Sequence, residues 1–357
     1  MIKDAQEYGS LNVHMRSKRA DLLTAGTYNL LASATDFDNL RQMLNNTLYQ
    51  DIIGTEMDKE YPDVIEIDRR LTQHFIDQYN LYKKFIPKRA KGFIDVHSQM
   101  YFLNNIKMIL SALHGAFNYD EAWGMLISLS DEENAETEEL YKAQNVEDMI
   151  GRIRDEELRN ELSAVVGDYR YLNLVYPLII AIDQHFYSKL CKQMSNLSGD
   201  DKNKTRSLFG ARIGIQNIEI ILRSKTFDIS PTIVPNWLIA TKFCPLRTEL
   251  RDKLIATSEL EEAFNIIKEQ TPFRDLAIRL LDNIEKDKPP LDNFDRIADQ
   301  YIVHKANSLF KGASFNVSIF PAFFFLKEIE LRNLRAIILG KIHKRSMNET
   351  LDKIVLV

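Results

Sequence analysis

Apolar residues recur along this chain at the spacing of α-helices, and one helix near the C-terminus has a polar residue within its apolar face. The stretch FPAFFFLKEIELRNLRAIILGKIHK spans residues 320–344. A rotation of about 100° per residue places Leu326, Ile329, Asn333 and Ile337 on one stripe. An amide inside an apolar stripe needs hydrogen-bond partners, so Asn333 is predicted to have a specific structural or binding role.

Charged residues of the same helix fall at two different angles. Glu330 and Lys341 lie at the edges of the stripe, which predicts a half-buried polar rim. Arg332 and Arg335 lie towards the opposite side, where solvated surface ion pairs are expected.

The asparagine pattern occurs three times. FLNNIKMILSAL (102–113) and IGIQNIEIILRSK (213–225) have the same arrangement of an asparagine, an aliphatic residue and a later apolar pair. The three asparagines are Asn105, Asn217 and Asn333, separated by 112 and 116 residues. Such regular spacing indicates an internal triplication.

Two further elements follow the same period. DFDNLRQMLNNTLYQDII (36–53) matches ELEEAFNIIKEQTPFRDLA (259–277), which aligns Thr47-Leu48-Tyr49 with Thr271-Pro272-Phe273. The middle copy, NVEDMIGRIRDEELRNEL (145–162), has the pattern without the threonine and the aromatic residue. A longer helix before each asparagine helix contains a hydrophobic-Asp pair, ending at Asp68, Asp183 and Asp295.

These repeats predict an all-α protein of three similar helical domains, with ranges 1–118, 119–229 and 230–357. Each domain is expected to contain a short amphipathic hairpin, a long helix and the asparagine helix. Only 13 glycines and 10 prolines occur in 357 residues, and alternating strand patterns do not persist. SNLSGDDKNKTRS (195–207) is interpreted as a solvated loop, and the proline pair of EKDKPPLDN is expected to interrupt a helix.

Composition excludes several classes of protein. A net charge of −5 gives no basic excess to neutralise nucleic-acid phosphates. Two cysteines, Cys191 and Cys244, rule out a disulfide framework and fit a reducing cytosol. The longest uncharged runs, 171–182 and 312–326, are too short to span a membrane and are predicted to be buried core.

Motifs for catalysis, cofactors and metals are missing from the sequence. None of the seven histidines has a close ligand spacing, so no metal site is predicted. FGARIG (209–214) has two glycines without the lysine of a phosphate loop, and small residues four apart favour close helix packing instead. We therefore predict no catalytic residue, no cofactor and no metal.

The chain resembles the C subunit of archaeal A-type ATP synthases, which is related to the d subunit of V-type ATPases. The resemblance rests on LLTAGTYNLLASATDFDNLRQMLNNTLYQDII, on the threefold asparagine helix, and on FFFLKEIELRNLRAIILGKIH. The last of these is similar to the family's closing signature of Lys, Glu, Glu, a hydrophobic residue, Arg and Asn, which here begins at Lys327 and includes Glu330 and Asn333. Order and spacing agree over essentially the full chain.

The resemblance implies a funnel of three helical domains around a pseudo-threefold axis. Such a protein is a non-catalytic central-stalk subunit that joins the rotor stalk to the proteolipid ring of the membrane sector. It would sit peripherally on the cytoplasmic side of the membrane, with stalk and ring subunits as partners. Candidate contact or repeat-interface residues are Asn105, Asn217, Asn333, Glu330 and Lys327.

Three interpretations stay open at this point. Each asparagine could line the funnel and touch the stalk, or bridge the helices of its own domain. The acidic region from Asp120 to Glu161 could face a basic stalk subunit or be a solvated surface. The whole chain could instead be a helical scaffold for another protein partner, or an all-α enzyme with an unrecognised site.

Overall fold

Every regular element that the structure describes is a helix, which confirms the all-α prediction. The computed structural model describes residues 2–59, 62–116, 118–269, 272–286, 288–312 and 315–356. Within these ranges, no helix combines the length and apolar character that crossing a membrane would require.

After the first helix, one order of helices occurs three times: a short helix, a hairpin of two helices, a long helix, the asparagine helix and a very short helix. The first set, with the leading helix, is α1 Ile2–Ala20, α2 Ala25–Ala32, α3 Phe37–Leu44, α4 Gln50–Met57, α5 Val64–Lys83, α6 Lys88–Leu113 and α7 Tyr119–Met125. The second is α8 Asp131–Tyr141, α9 Val146–Arg152, α10 Glu156–Leu172, α11 Tyr176–Asn196, α12 Gly199–Thr226 and α13 Val234–Trp237. The third is α14 Thr248–Ala256, α15 Leu260–Lys268, α16 Arg274–Glu285, α17 Phe294–Leu309, α18 Ile319–Ile342 and α19 Met347–Leu351.

The chain forms two compact units. One comprises Met1–Ile182 together with Phe323–Val357, and therefore contains both ends of the chain, and the other is Asp183–Ala322. The domain ranges 1–118, 119–229 and 230–357 stay predictions, and the helix order begins anew at α8 and α14.

Local sequence explains where several helices begin. Ser130 and Ser346 precede α8 and α19, and each accepts a hydrogen bond from the backbone N–H three residues later. The side chains of Glu133 and Glu349 each accept a hydrogen bond from the backbone N–H of the same serine, which completes a capping box at both helices. The interruption predicted at the proline pair is confirmed, because α16 ends at Glu285 and α17 begins at Phe294.

The start of α12 corrects one prediction. Residues 199–207, interpreted as a solvated loop, form the first turns of this helix. Asp200 and Asp201 occupy the first turn, where carboxylates are favoured by the helix dipole. Asp201 is also buried, and its Oδ1 accepts a hydrogen bond of 2.7 Å from the backbone N–H of Val317.

Aromatic side chains fill the core of the unit that contains both chain ends. The ring of Phe324 meets Phe75 and Tyr79 at centroid distances of 5.4 and 4.7 Å. The hydroxyl of Tyr79 lies 2.7 Å from Nδ1 of the fully buried His97. The phenylalanine run 323–325 is thus buried core, as the sequence predicted.

The glycine pair of α12 permits close packing. A Cβ atom added at Gly214 would overlap the ring of Phe273, and one added at Gly210 would overlap the carbonyl oxygen of Phe243. The small residues allow close packing as predicted, but against a loop carbonyl and the aromatic ring that precedes α16 rather than against another helix backbone.

Alanine substitutions at two helical glycines are expected to have opposite effects. Gly214→Ala should lower the free energy of unfolding by about 1–3 kcal/mol, because the buried Phe273 ring must shift. Gly167→Ala, in α10 with no atom near its would-be Cβ, should raise it by about 0.5–1 kcal/mol through helix propensity. Urea unfolding of both variants and the wild-type chain measures these two changes in the free energy of unfolding. A Gly214→Ala protein as stable as Gly167→Ala would contradict the packing interpretation.

Candidate functional site

Each of the three asparagines binds the backbone of the residue 22 positions later. The side-chain nitrogen of Asn105 donates to the carbonyl of Ile127, and its oxygen accepts from the N–H of the same residue, both at 2.8 Å. Asn217 binds Ile239 at 3.1 and 2.8 Å. Asn333 binds Val355 at 2.6 and 2.8 Å. We call this paired interaction the asparagine clamp.

The clamp supplies hydrogen bonds where the backbone cannot make its own. Ile127, Ile239 and Val355 each follow one of the very short helices α7, α13 and α19, in a segment without regular structure. A backbone N–H and C=O in such a segment need outside partners when they are covered by protein. The asparagines themselves are only 2, 3 and 2 % exposed. Each clamp therefore fixes the chain that leaves its asparagine helix.

Glu330 and Lys327 lie together in a buried cluster. We define the Glu330 cluster as Leu23, Tyr49, Lys327 and Glu330. The carboxylate of Glu330, which is fully buried, accepts hydrogen bonds from the backbone N–H of Leu23 and the hydroxyl of Tyr49. The ammonium of Lys327 lies 2.7 Å from the same carboxylate and donates to the Tyr49 hydroxyl at 2.9 Å.

The ring of Tyr49 adds a further contact to the cluster. The Lys327 nitrogen lies 5.0 Å from the centroid of that ring, within the range of a cation–π interaction. Burial, and next the negative charge of Glu330, raise the pKa of Tyr49 well above its ordinary value. The tyrosine hydroxyl therefore stays protonated and acts as a donor to Glu330 throughout the neutral range.

A second lysine of α18 holds the N-terminal segment. Lys341 is 7 % exposed and donates a 2.6 Å hydrogen bond to the carbonyl of Ala32, at the end of α2. The sequence predicted a half-buried rim at Glu330 and Lys341, and both are in fact buried. The pattern of α18 alone could not predict this burial. The residues that contact this side of the helix, Leu23, Ala32 and Tyr49, lie some three hundred positions away in sequence.

The hairpins of the first and third sets contact asparagine helices at the same position. Tyr49 and Phe273 each directly precede the second helix of a hairpin, α4 and α16. Tyr49 binds Glu330, three residues before Asn333, and the ring of Phe273 packs against Gly214, three residues before Asn217. Thr271, which the sequence aligned with Thr47, lies outside the described residues.

The three aspartates picked out by the repeat all bind an asparagine helix. Asp68 forms an ion pair with Arg335, and Asp295 lies 3.7 Å from Arg223. Asp183 accepts a 2.8 Å hydrogen bond from Gln216. Arg335 is therefore half-buried and engaged, rather than a solvated surface residue, whereas Arg332 is exposed.

The two cysteines and the possible metal ligands were considered as candidates for nucleophilic or metal chemistry. Burial raises the pKa of both Cys191 and Cys244, so neither is set up as a thiolate nucleophile. Across the ranges that the structure describes, no group of three His, Cys, Asp or Glu side chains is placed to hold a metal ion. The chemistry of the site is hydrogen bonding and charge pairing between segments.

His74 makes stability depend on pH. Burial, and next the positive charge of Lys327, lower the pKa of His74 below its ordinary 6.5. The folded protein keeps this imidazole neutral, whereas the unfolded chain takes up a proton below that pH, so stability falls as the pH drops through the window below 6.5. We expect His74→Gln to flatten this part of the profile, measured by urea unfolding at about pH 7.5 and about pH 5.5. If stability fell with pH as steeply in His74→Gln as in the wild-type chain, His74 would not be the source of this pH dependence.

Comparisons with known proteins agree with the family resemblance seen in the sequence. Residues 11–352 match the model of the family described as ATP synthase (C/AC39) subunit. The C subunit of the A-type ATP synthase of Methanocaldococcus jannaschii is 24% identical over 98% of this chain and 86% of its own length. Those of Methanosphaera stadtmanae and Pyrococcus furiosus are 23% and 22% identical, over 92% and 93% of this chain and 83% and 85% of theirs. The resemblance seen in the sequence is thus confirmed, and the chain belongs to the ATP synthase (C/AC39) subunit family.

Proposed function

We propose that the chain is a non-catalytic central-stalk subunit of an A/V-type rotary ATPase, coupling the stalk to the membrane ring during ATP synthesis or hydrolysis. Membership of the ATP synthase (C/AC39) subunit family supports a place in such a complex. The observation that favours a coupling role is the Glu330 cluster, in which the last asparagine helix binds the first hairpin of the chain.

That contact joins α18 to residues near the start of the chain. In an open repeat stack, the first and last repeats end in solvated capping faces. Here α18 instead buries Lys327, Glu330 and Lys341 against residues near the start of the chain. This burial is compatible with the closed, pseudo-threefold funnel that the family resemblance implies, which we propose in preference to an extending scaffold. A closed arrangement suits a part that must transmit torque without slipping.

The proposal assigns the five candidate residues to the repeat interface. Asn105, Asn217, Asn333, Glu330 and Lys327 are all buried and bound within the chain. Contacts with stalk and ring subunits would then use exposed side chains that this framework holds in place. In the cell, the protein would lie peripherally on the cytoplasmic side of the membrane.

Recovery of partners tests the function. The tagged chain is captured from gently solubilised membranes of its source cell, and the eluate is examined by mass spectrometry and ATPase assay, with an untagged strain as control. Stoichiometric stalk, ring and head subunits with nucleotide hydrolysis are expected. Recovery of the chain without stalk or ring subunits would contradict the coupling role and favour a scaffold for another partner.

A further inference from the structure

A cleft of about 300 Å³ lies between α12 and α17 in the unit 183–322. Asn203, Arg206 and Ser207 of α12 line it at helical spacing, so they form one stripe on that helix. Tyr301 and Lys305 of α17 line the facing side, four residues apart and thus also on one face. The two helices present hydrogen-bond donors to the same space.

The remaining walls are apolar and closely packed. Phe243, Pro245 and Pro272 line the cleft beside the polar stripes. The carbonyl of Phe243 approaches Gly210 so closely that any Cβ there would overlap it. Two prolines, whose rings fix their φ angles, therefore form part of this apolar wall.

Arg206 and Lys305 are two positive charges that have no ion-pair partner in the described part of the chain. Neither forms an ion pair there, whereas Arg223 and Arg251 of the same unit have acidic partners at 2.6 and 2.9 Å. No aspartate or glutamate lines the cleft among the described residues. The Lys305 ammonium lies 5.5 Å from the centroid of the Tyr301 ring, within the range of a cation–π interaction.

Tyr301 contributes a donor that is not used within the described residues. Its hydroxyl oxygen is buried and has no hydrogen-bond partner there. Burial, and next the negative charge of Asp275, raise the pKa of Tyr301 to about 12, so the hydroxyl is protonated at neutral pH. Buried polar groups are normally hydrogen-bonded, so this hydroxyl is an unused donor in the cleft wall for a ligand that reaches it.

We propose that this cleft binds an acidic peptide segment of a partner protein, with a carboxylate between Arg206 and Lys305 and an apolar neighbour against Phe243 and the two prolines. Arginine and lysine form charge-assisted hydrogen bonds with carboxylates. The apolar walls gain contact only from a ligand that also has an apolar part, which favours a peptide over an inorganic anion. This proposal is independent of the function proposed above, because the residues that line the cleft all belong to this chain and binding can be measured without the ATPase.

Fluorescence anisotropy with the full-length chain tests the site. The probe is a short fluorescein-labelled peptide of alternating Glu and Leu, and a Gln-and-Leu peptide is its uncharged control. Arg206→Gln and Lys305→Gln should each weaken binding about tenfold or more, and Tyr301→Phe about threefold. Lys204→Gln, an exposed lysine of α12 outside the cleft, makes the same charge change and should leave affinity unaltered.

Each alternative outcome is decisive. Absence of binding to the wild-type chain, or equal weakening by Lys204→Gln, would overturn the site, since the second result indicates general charge attraction. Displacement of the peptide by millimolar inorganic phosphate would show a small-anion site and overturn the peptide assignment. Circular dichroism and thermal melting of each variant separate lost binding from lost folding.

Discussion

Lys327→Met is expected to lower the free energy of unfolding by about 3–5 kcal/mol, because it strands a buried carboxylate. The side chain of Glu330 is 0% exposed, and the ammonium of Lys327 is its ion-pair partner at 2.7 Å. Removing the lysine leaves the buried negative charge with the Tyr49 hydroxyl and the backbone N–H of Leu23 as its donors. Charges stranded in this way are costly because burial has already removed their hydration.

Two companion variants make this result specific. Lys353→Met removes an exposed lysine of the same C-terminal region and should change stability by less than about 0.5 kcal/mol. The double variant Lys327→Met with Glu330→Gln should be more stable than Lys327→Met alone, because no unpaired charge remains. Urea unfolding of the wild-type chain and the three variants measures both differences. If Lys327→Met cost no more than Lys353→Met, the Glu330 cluster would not stabilise the contact of α18 with Leu23 and Tyr49.

Asn105→Leu is expected to lower the free energy of unfolding by about 2–4 kcal/mol. Leucine suits the apolar stripe, but it cannot bind the N–H and C=O of Ile127, and each group would lose its partner. The neighbouring residue provides the control, because Asn104 is exposed on the same helix α6. Asn104→Leu should shift stability by no more than about 0.5 kcal/mol.

Hydrogen exchange shows where the loss occurs. The amide of Ile127 should exchange much faster in Asn105→Leu than in Asn104→Leu, since its acceptor is the Asn105 side chain. Equal stability of the two variants, or an Ile127 amide protected equally in both, would be inconsistent with the clamp.

The sequence predicted the helices and the repeated asparagine because both depend on local pattern. The apolar stripe around Asn333 predicts a helix, and its recurrence at Asn105 and Asn217 predicts a triplication. The clamp partners were missed, although an aliphatic residue stands 22 positions after each asparagine. An apolar stripe indicates that an amide needs a partner but not which loop supplies it.

Burial of Glu330 and Lys341 could not be predicted from one helix. Their position at the stripe edge is a property of α18 alone, whereas their burial depends on residues 23–49, far away in sequence. The start of α12 was missed for a related reason. A charged run resembles a loop until the element that covers it is known, here the backbone at Val317 that binds Asp201.

Coupling itself is tested most directly in membrane vesicles that contain the rotary ATPase with and without this chain. ATP hydrolysis by the head and ATP-driven uptake of H⁺ and of Na⁺ are measured in the same preparation. We expect vesicles that lack the chain to hydrolyse ATP without transporting either ion, and the purified chain to restore transport when it is added back. Transport that persists without the chain, or hydrolysis that is lost with it, would contradict a non-catalytic coupling role.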